Sequence, residues 1–330
     1  MNDYVFFEEH DLTTILQGLQ QPPGDQQPPG DASVEIASRA RRLYEAAKQR
    51  SWNAASDVDW PDSLPTSEPP FASDNDVFSG FRPFDRLPLR LQTQIRWQQH
   101  ALEINDILHG EQAAMLLAAQ LVNSLPTGEG KLFACSQVAD EARHVEFFAR
   151  YMQLLSRNLP HCQVRPPTPA LANIIHNALQ DPRWNIKLIT CQILIESLAL
   201  TRFQEMRGNT RVPLLRAALK LILRDEARHT HFGIIHLRKY SQNLSEEARE
   251  TLSQRVIDQT VQLIHSDKPV TGLAERFRWD RTALQQHLRR FRFDHPQVIQ
   301  RRLLELRDNM RDAGLLTTRA EHRLIRLEGN

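Results

Sequence analysis

The sequence predicts an all-α protein built around a four-helix bundle, and three observations carry that expectation. Glycine is scarce, at 12 of 330 residues, while helix-forming Ala, Leu, Arg, Gln and Glu are abundant. Long stretches repeat their apolar residues at helical spacing and end at Pro or Gly. The pentapeptide Asp-Glu-Ala-Arg-His occurs twice, at 140–144 and 225–229, each time with a Glu upstream at the same distance.

The elements follow in order. Residues 20–31 are a tandem QQPPGD repeat, too rich in Pro and Gly for a regular element and expected to be a disordered spacer. Residues 33–49 read as an amphipathic helix, followed by WNAASDVDW (52–60) and a Pro-rich linker to about residue 75. A long helix is expected over 87–124, with no Pro beyond its first turn. It stops at the turn Leu125-Pro126-Thr127-Gly128-Glu129-Gly130. Helical pattern resumes over 131–159, ends before Pro160, and returns in a short helix at 169–180. One helix is expected over 183–207, broken by Gly208-Asn209, and another over 213–240. Further helices are expected at 245–265, 281–291 and 296–312. The division that results is an extension (1–75), the bundle (76–270) and a helical appendage (271–330).

Composition bounds the function. With 41 Lys+Arg against 40 Asp+Glu the net charge is +1, so no polyelectrolyte partner is indicated. Three cysteines are too few and too scattered for a disulfide scaffold or a Cys-rich zinc site. No apolar stretch is long enough for a membrane span, and the acidic N-terminus does not read as a signal peptide. A cytoplasmic setting is the expectation.

The duplicated motif carries the chemistry. Glu111 precedes the first pentapeptide and Glu196 the second, and corresponding positions are offset by 85 throughout. Glu141 and His144, like Glu226 and His229, are i, i+3 and share a helix face. Residue 126, midway between Glu111 and Glu141, lies in the turn; residue 211, midway between Glu196 and Glu226, lies in the RGNTRVP break. If each turn closes an antiparallel hairpin, both carboxylates of a pair sit level on facing helices, about 22 Å from the turn at helical rise. Two packed hairpins then bring Glu111, Glu141, His144, Glu196, Glu226 and His229 to the centre of one bundle. One Glu from each of two helices and Glu-x-x-His from the other two is the donor set of a carboxylate-bridged dimetal site. A single Glu-x-x-His is usually a solvated face. Two copies with matched Glu residues are hard to obtain that way, and Glu196 lies in the otherwise apolar TCQILIESLALTRF, where a lone carboxylate is costly. Asp140 and Asp225 are placed to accept from the outer nitrogen of the opposite His, with Arg143 and Arg228 balancing them at the bundle surface. Met115, Phe148, Gln192, Leu200, Phe203 and Ile222 lie one turn or so from these positions and are expected to line a largely apolar substrate pocket.

The doubled Glu-x28-Asp-Glu-x-Arg-His pattern, over roughly residues 90–240, resembles the ferritin-like di-iron carboxylate oxygenases, and the p-aminobenzoate N-oxygenase family most. The resemblance implies a ferritin-like bundle holding two Fe ions per chain, or a Mn/Fe pair. It implies O2 as co-substrate, a small-molecule substrate, an external electron donor and a homodimer. It further implies an oxygenase acting at the nitrogen of an amine or amino acid, in natural-product biosynthesis. Carbon hydroxylation or desaturation is the alternative within the superfamily, and a non-catalytic iron-binding protein the alternative outside it. The sequence departs from its relatives in places. Ile222 stands where the N-oxygenases carry a third His ligand. Leu200 stands where monooxygenase large subunits often carry a Thr, and Phe148 where ribonucleotide reductase small subunits carry a radical Tyr. Oxidising equivalents are therefore expected to pass to substrate rather than rest on protein. From residue 271 on there are 13 Arg and no Lys against 8 acidic residues, and 273–291 faintly resembles a helix-turn-helix. A helix pair packed on the bundle or on a second subunit is the expectation there, and nucleic acid is not an expected partner.

Overall fold

A computed structural model of the chain describes residues 31–72, 76–159, 161–265 and 271–328. The repeat expected to be a spacer lies, apart from Asp31, outside the described residues. The described residues are mainly helical, with one isolated bridge between Phe71 and Thr210. The helices are α1 (Asp31–Gln49), α2 (Arg82–Asp85), α3 (Leu89–Ser124), α4 (Gly128–Asn158), α5 (Pro169–Gln180), α6 (Trp184–Leu188), α7 (Glu196–Asn209), α8 (Pro213–Ser241), α9 (Glu246–His265), α10 (Thr271–Phe277), α11 (Arg281–Asp294), α12 (Gln297–Asp312) and α13 (Thr318–Glu328). Between α6 and α7, residues Ile189–Ile195 continue the same rod in a π-helical turn.

Four rods make the bundle: α3, α4, the α6–π–α7 rod and α8. The first turn runs from Ser124 to Gly128 and the second from Asn209 to Pro213, so they centre on residues 126 and 211. Helix α4 begins three residues earlier than its pattern predicts. The Thr127 hydroxyl accepts from the Gly130 amide at 3.2 Å and caps the helix. Gly130 permits this first turn, because a Cβ there would lie 2.7 Å from Thr127 Oγ1. Pro213 opens α8 at a position where its missing N–H costs nothing.

Two apolar clusters fill the bundle. One gathers Ile104, Leu108, Phe147, Phe148, Tyr151, Phe203 and Ile222 with Trp52 and Trp97. The other gathers Leu121, Phe133, Ile193, Phe232 and Leu237 with Leu303 and Leu306 of α12. On every rod the residues of the duplicated motif fall between these clusters, so a polar layer crosses the bundle between two dry halves. Helix α1 packs across α4 and α8, and α12 across α7 and α8. The α10–α11 pair packs through Leu273, Ala274 and Leu284 onto Phe78, Phe81, Phe84 and Ile95, which fastens it to the start of the bundle.

Two buried histidines lie away from the motif. His100 Nε2 is 3.0 Å from the Tyr151 hydroxyl, and His236 Nδ1 is 3.0 Å from the Phe232 carbonyl. Burial pushes each imidazole down from its ordinary 6.5 to about 4. Below pH 6.5 the unfolded chain takes up protons that the folded chain refuses. Stability present above pH 6.5 is therefore lost as pH falls toward 4, by at most about 1.4 kcal/mol per histidine per pH unit. On going from pH 7 to pH 5 the melting temperature of His100→Gln should therefore shift less toward instability than that of the parent. A variant as acid-sensitive as the parent contradicts this account of His100.

Candidate metal centre

Each rod delivers its donors by its own register. Helix α3 brings Glu111, α4 brings Glu141 and His144, α7 brings Glu196 at its first position, and α8 brings Glu226 and His229. All six are buried: Glu111 is 5% exposed, Glu196 2%, and the other four 0%.

They converge. His144 Nδ1 lies 3.0 Å from Glu111 Oε2, 3.0 Å from Glu226 Oε1 and 3.4 Å from Glu141 Oε2. His229 Nδ1 lies 3.0 Å from Glu226 Oε2, 3.1 Å from Glu141 Oε1 and 3.5 Å from Glu196 Oε1. Two donor groups result, Glu111–Glu141–His144–Glu226 and Glu141–Glu196–Glu226–His229. Glu141 and Glu226 belong to both.

The outer imidazole nitrogens are held crosswise. His144 Nε2 is 3.2 Å from Asp225 Oδ2, and His229 Nε2 is 3.2 Å from Asp140 Oδ2. Each aspartate thus serves the histidine of the other hairpin, and an Nε2–H bonded outward leaves the Nδ1 lone pair facing the carboxylates. The arginines depart from expectation. Arg228 is buried rather than at the bundle surface, and donates to Asp225 Oδ1 at 2.5 Å and Asp140 Oδ2 at 3.2 Å. Two aspartates meeting across the rods draw it inward. Arg143 is partly buried and bonds Asp140.

Sequence reasoning assigned no role to Trp52 or Gln137. The Trp52 indole donates to Asp225 Oδ2 at 2.8 Å and stacks on His144 with centroids 6.1 Å apart. Gln137 Nε2 donates to Glu196 Oε1 at 3.0 Å and to Glu141 Oε1 at 3.1 Å, and its Oε1 accepts from Gln192 at 2.8 Å. Trp52 is 173 positions from Asp225, so no local pattern marks it. Gln137 lies one turn before Glu141, a place where a buried amide could have been suspected.

Of the expected pocket residues, Phe148, Phe203 and Ile222 lie in one apolar cluster, with the Phe148 and Phe203 rings stacked at 6.0 Å. Leu200 is buried on α7, Met115 is half-buried on α3, and Gln192 is engaged by Gln137. A depression of about 440 Å³ opens over Trp52, Asn53 and Arg143, and another of about 700 Å³ lies among α5, α9 and α13. Neither is lined by the expected pocket residues.

The electrostatics test whether metal fits. Burial opposes charge on both imidazoles, yet the surrounding carboxylates hold His144 and His229 well above the ordinary range. Burial and the Glu226 charge raise Glu111 to about 8, and burial with the charges of Glu226 and Glu141 raises Glu196 well above the usual carboxylate range. Burial opposes ionisation of Glu141 and Glu226 as well, but the imidazolium charges and hydrogen bonds hold both below the usual carboxylate range. Carboxyls raised by burial and by one another's charge mark a layer crowded with negative charge, which bound cations would relieve. Glu141 Oε2 and Glu226 Oε1 are buried without a hydrogen-bond partner. One N–H cannot serve three oxygens, whereas a cation among them satisfies all. Carboxylate oxygen with one imidazole per position suits iron and manganese. The residues present fit a dimetal centre.

This combination of bundle and donor set defines a class, the ferritin-like di-iron carboxylate proteins. The model of the p-aminobenzoate N-oxygenase AurF family matches residues 35–287, and the chain belongs to that family. An oxidoreductase of the di-iron type follows. The fold is shared with solved structures of the R2-like ligand-binding oxidase. A mutant of it with an aerobically reconstituted Mn/Fe cofactor superposes with a TM-score of 0.55 at 17% identity, covering 91% of this chain and 99% of that one. The same oxidase with an aerobically reconstituted Mn/Fe cofactor (long soak) gives 0.53 at 19%, covering 86% and 97%. Its form with the metal cofactor after photoconversion gives 0.54 at 18%, covering 90% and 96%. No curated protein matches the sequence. No helix among the described residues is long and apolar enough to cross a membrane.

Proposed function

We propose that the chain is an O2-dependent oxygenase of a small molecule, with the nitrogen of an amine or amino acid as the first candidate for the oxidised atom. The observation that carries this reading is the convergence of three carboxylate oxygens on each histidine Nδ1 within 3.5 Å. Glu111, Glu141, His144 and Glu226 would hold one metal, and Glu141, Glu196, Glu226 and His229 the other, as Fe/Fe or Mn/Fe. Bound there, the pair supplies the site at which O2 is reduced and made reactive, with electrons from an external donor.

The chain's own residues prepare that site. Asp140 and Asp225 keep a proton on each outer nitrogen and so aim each Nδ1 inward. Arg228 holds both aspartates in place, and the Trp52 indole holds Asp225. Phe148, Phe203, Leu200 and Ile222 keep water from one side of the layer, which strengthens every interaction within it. Ile222 offers no donor atom, so the protein nitrogens available to the metals are those of His144 and His229.

The N-oxygenation reading draws on the name of the family and is tested directly. The metal-loaded protein is reduced chemically and exposed to ¹⁸O2 with a panel of arylamines, amino acids and matched hydrocarbon substrates, and products are read by mass spectrometry. Label on the nitrogen of an amine is expected. Label on carbon moves the protein to the hydroxylases. Uptake of O2 with iron oxidised and no labelled product across the panel favours iron storage and contradicts the proposal.

A further inference from the structure

The centre is two-fold in its donors and one-sided in what surrounds them. Under the 85-residue offset of the repeat, Gln137 corresponds to Ile222 and Gln192 to Ile107. Both isoleucines are buried and apolar, whereas both glutamines are 0% exposed and polar. One donor group therefore meets an amide pair where the other meets hydrocarbon.

The pair is built into the backbone. The π-helical turn Ile189–Ile195 carries Gln192 against α8 at Gly233, where an added Cβ would lie 2.3 Å from Gln192 Cβ. From there the Gln192 amide donates to Gln137 Oε1 at 2.8 Å. With its oxygen engaged, Gln137 must turn its NH2 toward the carboxylates, and it reaches Glu196 Oε1 at 3.0 Å and Glu141 Oε1 at 3.1 Å. One amide thus joins the terminal and a shared carboxylate of the same donor group. Among the described residues no amide side chain bonds Glu111, whose Oε2 faces His144.

We propose that Gln137, locked by Gln192, is a positioning residue that makes the two metal positions unequal, fixing Glu196 and Glu141 for the ion held with His229. This rests on the dimetal reading above. The amide ties the Glu196 and Glu141 side chains together at a fixed separation before any cation arrives, and its hydrogen bonds draw electron density from their oxygens. The His144 position has no such strut. Partners of this kind are worth 10- to 100-fold in metal affinity.

The test is anaerobic titration of the full chain with ⁵⁷Fe(II), read by elemental analysis after desalting and by Mössbauer spectroscopy. Wild type should hold two irons with two distinct quadrupole doublets. Gln137→Leu should keep one iron near wild-type affinity and bind the other about 10- to 100-fold more weakly. The surviving doublet should be the one that also survives in Glu196→Ala. Gln192→Leu, which touches no carboxylate, should weaken the same position by less. A merely structural glutamine would lose both irons or neither. Gln137→Leu holding both irons with unchanged doublets and affinities, or losing both together while its apo form melts as wild type, overturns the inference. A wild type that binds no pair of metals instead overturns the dimetal reading itself, so the two failures are distinguishable.

Discussion

Glu141→Ala is expected to remove at least one metal from every chain, and Glu226→Ala likewise. Each of these carboxylates belongs to both donor groups, so its loss withdraws a ligand from both positions at once. Glu111→Ala and Glu196→Ala each touch one group and should spare the other. The effect on the metal-free fold is separate. In the metal-free fold Glu141 and Glu226 face the imidazoles of His144 and His229, so truncating either strands those buried groups and is expected to cost stability as well as metal. Elemental analysis after loading and desalting reads the first effect, and two metals retained in either shared-ligand variant contradict the assignment.

The largest stability effect should come from Asp225→Ala. Burial alone would raise this carboxyl, but the His144 hydrogen bond, the charges of His144 and Arg228, and the Trp52 bond hold it far below the usual range. It is the acceptor for Trp52 Nε1 at 2.8 Å, His144 Nε2 at 3.2 Å and Arg228 at 2.5 Å. Truncation leaves the Trp52 indole and the outer nitrogen of His144 without that acceptor in the interior, and leaves Arg228, 5% exposed, with Asp140 as its remaining carboxylate. Breaking a buried pair in this way costs about 3–5 kcal/mol. Asp225→Asn should recover part of that, because the amide oxygen still accepts from the indole. Denaturant unfolding of the apo proteins measures both, and a loss under about 1 kcal/mol for the alanine variant would show that Asp225 is not the keystone described.

The donor layer was legible because it is a matter of spacing. The offset of 85 and the midpoints at 126 and 211 translate directly into hairpins, since a helix converts residue count into height. What spacing does not encode was missed. The apolar run around Cys191 and Gln192 reads as ordinary helix, because a π turn changes the hydrogen-bond register and leaves composition unaltered. Arg228 was placed outside because a helical wheel counts only its own helix, and Asp140, which draws it inward, is on another. Trp52 reaches Asp225 through a segment with no periodicity. Gly128 and Gly130 looked like turn residues, and only the Thr127 cap makes them helical. Arg82–Asp85, Thr271–Phe277 and Thr318–Glu328 were not singled out as helices, and the first two are too short for periodicity to register.

The central claim is that this polar layer exists to hold two metal ions. The most direct measurement is the metal content of the wild-type chain, purified from cells supplied with iron and manganese and analysed by elemental mass spectrometry. Two ions of iron, or of iron and manganese, per chain are predicted. One ion or none in wild type loaded to saturation would contradict the account, and would leave four buried glutamates and two histidines without a reason to be there.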